Sequence, residues 1–249
     1  MLLGILQAGD KHPDADPALP DYEAMFTTLF AAAAPHVSLR FFRIMDNVFP
    51  DHHASCDAWL ITGSPAGVYD DLPWISRLME FIRQAHAASV PLIGICFGHQ
   101  AIAHALGGNA VKSDRGWGVG IRKMPVSEAL CGQDWAADLG NGFALFYMHQ
   151  DQVVALPQGA TRLAGDAFCP NAAFSIGKTV LCLQGHPEFT PEFSAYLLQL
   201  RRQRIGTDLV DSALASLHGD QDGLSWAQAI IRFLDNAIAG PASASRQRA

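Results

Sequence analysis

The first 108 residues constrain the fold more than any other part of the chain, because short apolar runs alternate there with segments of helical apolar spacing. Met1–Gln7 predicts a buried strand, and residues 10–20, rich in Asp and Pro, predict a loop. Tyr22–Ala34 places Met25, Leu29, Phe30 and Ala33 at helical spacing. Val37–Ile44 alternates as a strand does. Trp59–Thr62 is a short apolar strand running into the tight turn Gly63-Ser64-Pro65-Ala66-Gly67. The stripe Ile75, Leu78, Met79 and Ile82 predicts a helix over Pro73–Ala88, with Pro73 in the first turn, where its missing N–H costs nothing. Pro91–Ile95 is the next buried strand. His99–Leu106 is helical and stops at Gly107-Gly108. Strands alternating with helices of this length predict an α/β fold with a doubly wound, mostly parallel sheet and right-handed connections.

From about residue 110 to 180 the pattern changes. Val119–Met124, Phe143–Met148, Ala172–Ile176 and Val180–Gln184 predict short strands separated by turns, read as an antiparallel extension of the sheet. The C-terminal segment is helical. Thr190-Pro191 supplies an N-cap and a first-turn Pro for a helix through about Arg204. Thr207-Asp208 caps a second helix to about Leu217, and the capping box Ser225-x-x-Gln228 opens a third that stops at Gly240-Pro241. Residues 1–240 are expected to form one domain, and the small, polar residues 241–249 a disordered tail.

Charge and composition exclude several function classes. Only 16% of residues are charged and 49% are hydrophobic, which supports a core rather than disorder. A net charge of −7 without any run of Lys or Arg argues against nucleic acid and anionic membranes as partners. Five cysteines with no Cys-x-x-Cys spacing point to a reducing compartment, hence a cytoplasmic location. Met1–Gly9 lacks the basic lead and cleavage site of a signal peptide. Gln84–Val111 carries no Asp, Glu, Lys or Arg, yet Pro91 and four glycines break it, so it is not read as a membrane span. His52, His53 and Cys56 match no metal-ligand spacing, so no metal is expected.

The strongest chemical signal is Gly94-Ile95-Cys96-Phe97-Gly98, between a strand and a helix. It is the Cys version of the nucleophile elbow, in which a sharp turn lifts the side chain clear of the sheet. The helix N-terminus beneath lowers the thiol pKa and enriches the thiolate. A thiolate nucleophile needs a base and a group that orients it. Gln184-Gly185-His186-Pro187-Glu188, just past the strand at Val180, supplies both: His186 to carry the proton and Glu188 to fix its tautomer. Thr62-Gly63-Ser64-Pro65 also follows a strand, and its backbone N–H groups, from Gly63 or Ser64, can join that of Phe97 in holding an oxyanion.

With these strings in place, Gly-Ile-Cys-Phe-Gly-His-Gln and His-Pro-Glu resemble the class I (triad) glutamine amidotransferases. Leu106-Gly107-Gly108, Gly116-Trp117, Met148-His149-Gln150-Asp151 and Gln184-Gly185 fit the same family, over roughly residues 1–195. The branch it resembles most holds stand-alone members similar to GMP synthase amidotransferase domains and plant γ-glutamyl peptidases. The resemblance implies a flavodoxin-like core. It implies that Cys96 attacks a γ-glutamyl amide and forms a thioester that water hydrolyses, with His186 as base and then acid. By the same resemblance Gln100 and the backbone around His149, Gln150 and Asp151 hold the substrate's amino-acid end. Two positions depart from the family pattern. Ser64 stands where many members have Gly, and Gln150 where several have Gly. No phosphate-binding loop and no strand-linked Gly-x-Gly-x-x-Gly occurs, so no cofactor is expected.

Three readings follow. The first is a glutamine amidotransferase that releases ammonia from glutamine, with a synthase subunit in trans as its possible partner. The second is a γ-glutamyl peptidase using the same three residues on γ-glutamyl peptides or conjugates. The third is a non-catalytic binding or regulatory module.

Overall fold

The computed structural model describes residues 1–240; the tail expected to be disordered, 241–249, lies outside the described residues. In chain order, β1 (Leu2–Gln7), α1 (Tyr22–Ala33), β2 (Ser38–Arg43), β3 (Ala58–Ile61), α2 (Pro73–Ala87), β4 (Leu92–Ile95) and α3 (Phe97–Ala105) build the first half. There follow β5 (Asn109–Lys112), β6 (Gly118–Pro125), α4 (Glu128–Cys131), β7 (Gly142–His149), β8 (Asp151–Ala155), β9 (Ala160–Ala164), β10 (Ala173–Ile176) and β11 (Val180–Leu183). The chain then turns helical through α5 (Pro191–Leu200), α6 (Arg202–Ile205), α7 (Thr207–Ser216) and α8 (Gly223–Ala239).

A seven-stranded sheet runs in the order β2-β1-β3-β4-β11-β10-β9. All pairings from β2 to β11 are parallel, and β10 and β9 extend the sheet antiparallel. Every side chain of β3, β4 and β11 is buried, so both faces need cover. Because successive residues of a strand point to opposite faces, these strands feed two cores. Ala58, Leu60, Ile93, Ile95, Leu181 and Leu183 face α1, α5 and α8. Trp59, Ile61, Leu92, Val180 and Cys182 face α2 and α3. Trp59, Phe143, Phe146 and Tyr147 are all core residues, as their surroundings in the sequence suggest.

The structure corrects several local expectations. Val180–Leu183 is not in the antiparallel extension; it lies parallel beside β4, where all four of its side chains are buried. β6 and β7 leave the main sheet and pair with each other as a separate antiparallel ribbon, and β5 pairs with β8 in another. The first C-terminal helix ends at Leu200 rather than continuing to Arg204; Arg201 breaks it and α6 follows as a separate turn. Thr190 caps α5 as expected, accepting from the Phe193 N–H. Thr207 does not cap α7, which Gly206 precedes at φ 103°. The Ser225 capping box is absent as well, because α8 starts earlier, at Gly223. Asp222 precedes it and uses its carboxylate elsewhere, accepting from the Ala144 N–H of β7 at 2.7 Å.

Among the described residues no helix is long and apolar enough to cross a membrane. The uncharged stretch Gln84–Val111 is divided among the end of α2, β4, α3 and part of β5.

The cap assignments give a direct test. Asp222→Ala should cost about 1.5–3 kcal/mol, the range for a hydrogen bond to a charged group. Ser225→Ala should change stability by less than about 0.5 kcal/mol. Urea denaturation midpoints at an unchanged m-value are the measurement.

Candidate active site

Three adjacent parallel strands deliver the site. The C-terminal ends of β3, β4 and β11 lie at one edge of the sheet, where α/β folds place ligands. β3 runs into Thr62, Gly63 and Ser64, β4 into Cys96, and β11 into Gln184–Glu188.

Cys96 adopts φ 52° and ψ −100°, a backbone conformation that L-residues rarely occupy. Such strain costs on the order of 1–3 kcal/mol and persists only where the surroundings over-determine it. Here the Cys96 N–H donates to the Leu183 carbonyl at 2.8 Å, the Gly98 N–H to the Thr62 carbonyl at 3.2 Å, and the Gln100 N–H to the Cys96 carbonyl at 3.1 Å. Gly98 crosses so close to Ile61 that a Cβ would overlap its backbone carbonyl. α3 begins at Phe97, so the Phe97 N–H has no acceptor within the helix and stands free beside Cys96. A Cβ on Gly63 would sit 2.8 Å from His186 Cε1 and 3.7 Å from Cys96 Cβ, so the Gly63 turn lies against both.

His186 and Glu188 are 2% and 3% exposed. His186 Nδ1–H donates to Glu188 Oε1 at 2.7 Å, leaving Nε2 as the ring nitrogen available to the nearby Cys96. The ring stacks on Phe189, with centroids 3.7 Å apart and planes 9° apart. Its backbone N–H donates to the Phe146 carbonyl of β7 at 2.8 Å. Burial disfavours the imidazolium, but the Glu188 carboxylate and the Cys96 sulfur outweigh it and carry the His186 pKa from 6.5 up to about 10.

Ser64, Gln100, His149, Gln150 and Asp151 line an open cleft with Cys96. Gln100 Nε2 donates to the Asp151 carbonyl and to Gln184 Oε1, each at 3.0 Å. His149 Nδ1–H donates to the same carbonyl at 2.9 Å, and burial lowers the His149 pKa to about 4, so this ring stays neutral at physiological pH. The Asp151 carboxylate accepts from Tyr69 OH at 2.8 Å. The structure therefore brings together Gly63, Ser64, Cys96, Phe97, Gln100, His149, Gln150, Asp151, His186 and Glu188, while Leu106-Gly107-Gly108 lies at the far end of α3. The Phe97 side chain is buried against Trp74, so only its backbone N–H is presented beside Cys96.

The sequence reading passed over four residues at the site. Arg201 and Arg204 line the cleft, Tyr69 braces Asp151, and Tyr22 lies close enough to Glu188 and Cys96 for burial and both charges to raise its phenol pKa. Arg201 and Arg204 sit where a helix end ordinarily carries basic residues, so no signal distinguished them.

Residues 19–199 match the family described as glutamine amidotransferase class-I. The chain belongs to this family. Gamma-glutamyl peptidase 3 of Arabidopsis thaliana is 31% identical over 201 residues, which cover 78% of this chain and 81% of that protein. A glutamine-hydrolysing GMP synthase of Wolbachia pipientis is 27% identical over 178 residues, 70% of this chain but 34% of that protein. Among solved structures, a glutamine amidotransferase from Thermotoga maritima superimposes with a TM-score of 0.73 at 17% identity, covering 96% of this chain and 99% of the other. The flavodoxin-like α/β architecture is thus that of class I amidotransferases, and the chain is an enzyme of that class.

The His186 shift has a definite sign. The unfolded chain loses this proton near pH 6.5 and the folded chain near pH 10. Its contribution to stability is therefore complete below pH 6.5 and is lost as pH rises toward 10. NMR titration of the imidazole nitrogens should find His186 still protonated at about pH 8, one to two units above an unperturbed imidazole. Glu188→Gln should move the midpoint down; an unmoved midpoint would show that the carboxylate is not its source.

Proposed function

We propose that this enzyme hydrolyses a γ-glutamyl amide bond through a thioester on Cys96. The observation that carries the reading is the convergence of a strained cysteine, an imidazole and a buried carboxylate at one sheet edge, with Nδ1 of His186 held 2.7 Å from Glu188.

In this mechanism the His186 ring holds the proton of Cys96, and the sulfur attacks the γ-carbonyl carbon to form a C–S bond. The Phe97 N–H and an N–H from Gly63 or Ser64 receive the developing oxyanion. The tetrahedral intermediate collapses with cleavage of the C–N bond, and His186 Nε2–H passes its proton to the departing nitrogen. A water then loses a proton to His186 and attacks the thioester; the C–S bond breaks and glutamate leaves. Glu188 holds the ring in one orientation and stabilises the imidazolium. Gln100 and the turn at His149, Gln150 and Asp151 bind the amino and carboxyl groups of the γ-glutamyl end. Residues 1–240 act as one unit, because the cleft draws on the turns after β3 and β4, on α3, β7 and β8, and on Arg201 and α6.

The leaving amine distinguishes two versions. A γ-glutamyl peptidase is favoured by the Arabidopsis relative, whose match extends over 81% of its own length. A glutaminase that supplies ammonia to a synthase in trans is supported by the GMP synthases, in which the match is confined to 34% of the chain.

Purified enzyme should release glutamate from at least one member of a panel of glutamine, glutathione and γ-glutamyl dipeptides. Cys96→Ala should lower kcat by at least about 10⁴-fold, as nucleophile removal does elsewhere. Full retention of hydrolysis by that variant would eliminate the mechanism. Peptide turnover well above glutamine turnover selects the peptidase, and the reverse selects the glutaminase.

A further inference from the structure

The cleft contains two arginines, neither of which forms a salt bridge among the described residues. Arg201 follows α5 and Arg204 lies in α6, and both line the cleft beside Cys96. Their neighbour Arg202 is paired in the usual way, with Asp211 at 2.7 Å. Among the described residues, the half-buried Arg201 guanidinium makes neither a salt bridge nor a side-chain hydrogen bond, and burial pulls its pKa down. The Arg204 guanidinium lies over the Trp117 ring, 5.1 Å from its centroid, and has no ion pair either. The nearest acid lining the cleft, Asp151, has its carboxylate engaged by Tyr69. Partial burial of an unpaired cation, as at Arg201, costs stability, whereas Arg204 is exposed at the rim. In a chain of net charge −7, Arg201 and Arg204 outnumber Asp151, the one carboxylate among the residues lining this opening.

Their place in the cleft indicates what they meet. α5 opens three residues after Glu188, and Tyr22, which packs edge-on against Phe189 and Phe193, carries this wall toward Arg201. Arg201 therefore belongs to the His186–Glu188 side, where the departing nitrogen takes its proton. Gln100 and the Asp151 turn are bonded to each other, and Arg204 lies between the two groups, near enough for its charge to act on the Asp151 carboxylate.

We propose that Arg201 and Arg204, with Trp117 beneath, form a subsite for the carboxylate of the leaving amine, so that the substrate is a γ-glutamyl peptide whose departing amino acid has a free carboxylate. The planar fork of a guanidinium matches a carboxylate in a bidentate pair, and the indole provides an apolar floor for the carbon skeleton. This deepens the hydrolase reading and rests on it.

The test compares two substrates with the same γ-glutamyl end, γ-glutamylglycine and γ-glutamylmethylamide, which differ in the carboxylate alone. Wild-type enzyme should prefer the former in kcat/KM. Arg201→Gln and Arg204→Gln should each lower kcat/KM for γ-glutamylglycine by about 10- to 100-fold, the worth of a charged hydrogen bond, and change the methylamide less than about threefold. Arg201→Lys should recover part of the loss, and thermal melting of each variant excludes a folding defect. Equal losses on both substrates would overturn the subsite, because the arginines would then serve the shared γ-glutamyl end. Unchanged rates on both would overturn it too. Wild-type inactivity toward both substrates would instead fail the hydrolase reading itself and take the subsite with it.

Discussion

The site depends on β4 being paired on both sides by parallel neighbours. β3 and β11 hold β4 in register, with Ile61 opposite Gly94 and Leu183 opposite Ile95. That pairing places the Leu183 carbonyl where the Cys96 N–H can reach it, and the Thr62 carbonyl where the Gly98 N–H can. Those two bonds are what keep Cys96 at a positive φ. A cysteine on an edge strand would relax into the adjacent β or α basin, and its side chain would fall back toward the sheet. The same two neighbours end in the Gly63 turn and in His186, so the interaction that strains the cysteine also brings the other groups to it.

Electrostatics divides the site into a satisfied half and an unsatisfied one. The His186–Glu188 pair is buried, bonded at 2.7 Å and stacked on Phe189. Burying such a pair is expensive unless the geometry is good and one partner's absence would leave a lone charge. Its rigidity suits the proton transfer proposed for His186. On the opposite side of the balance, Arg201 and Arg204 gain nothing comparable from the chain itself. An enzyme that keeps cations unpaired at its cleft retains their interaction energy for a ligand.

Much of the fold was legible because burial on two faces leaves a pattern that needs no tertiary knowledge. β1, β3, β4, α1 and α2 stand within a residue or two of where apolar periodicity places them. The meeting of Cys96, His186 and Glu188 was legible because the short strings that carry them sit at strand ends. β5, β8 and β9 were not: each is only four or five residues long and partly exposed, which gives no distinct periodicity. The cap of α8 was misread because Ser225 had the right sequence context, while Asp222, committed to β7, set the true start.

By itself the sequence determined which residue types could do the chemistry and that a strand-to-helix turn would present the cysteine, since both rest on local backbone geometry. Tertiary structure alone decided what lies opposite them. Nothing local distinguishes Val180–Leu183 as the partner of β4, or assigns β6 and β7 to a ribbon of their own, because strand pairing is settled by competition among all available edges. Nor does anything local mark Arg201 and Arg204 as different from Arg202. The distinction is the presence of Asp211 beside one and of an open cleft beside the others. Charge compensation is a property of the folded surroundings, and only the assembled molecule shows where it is missing.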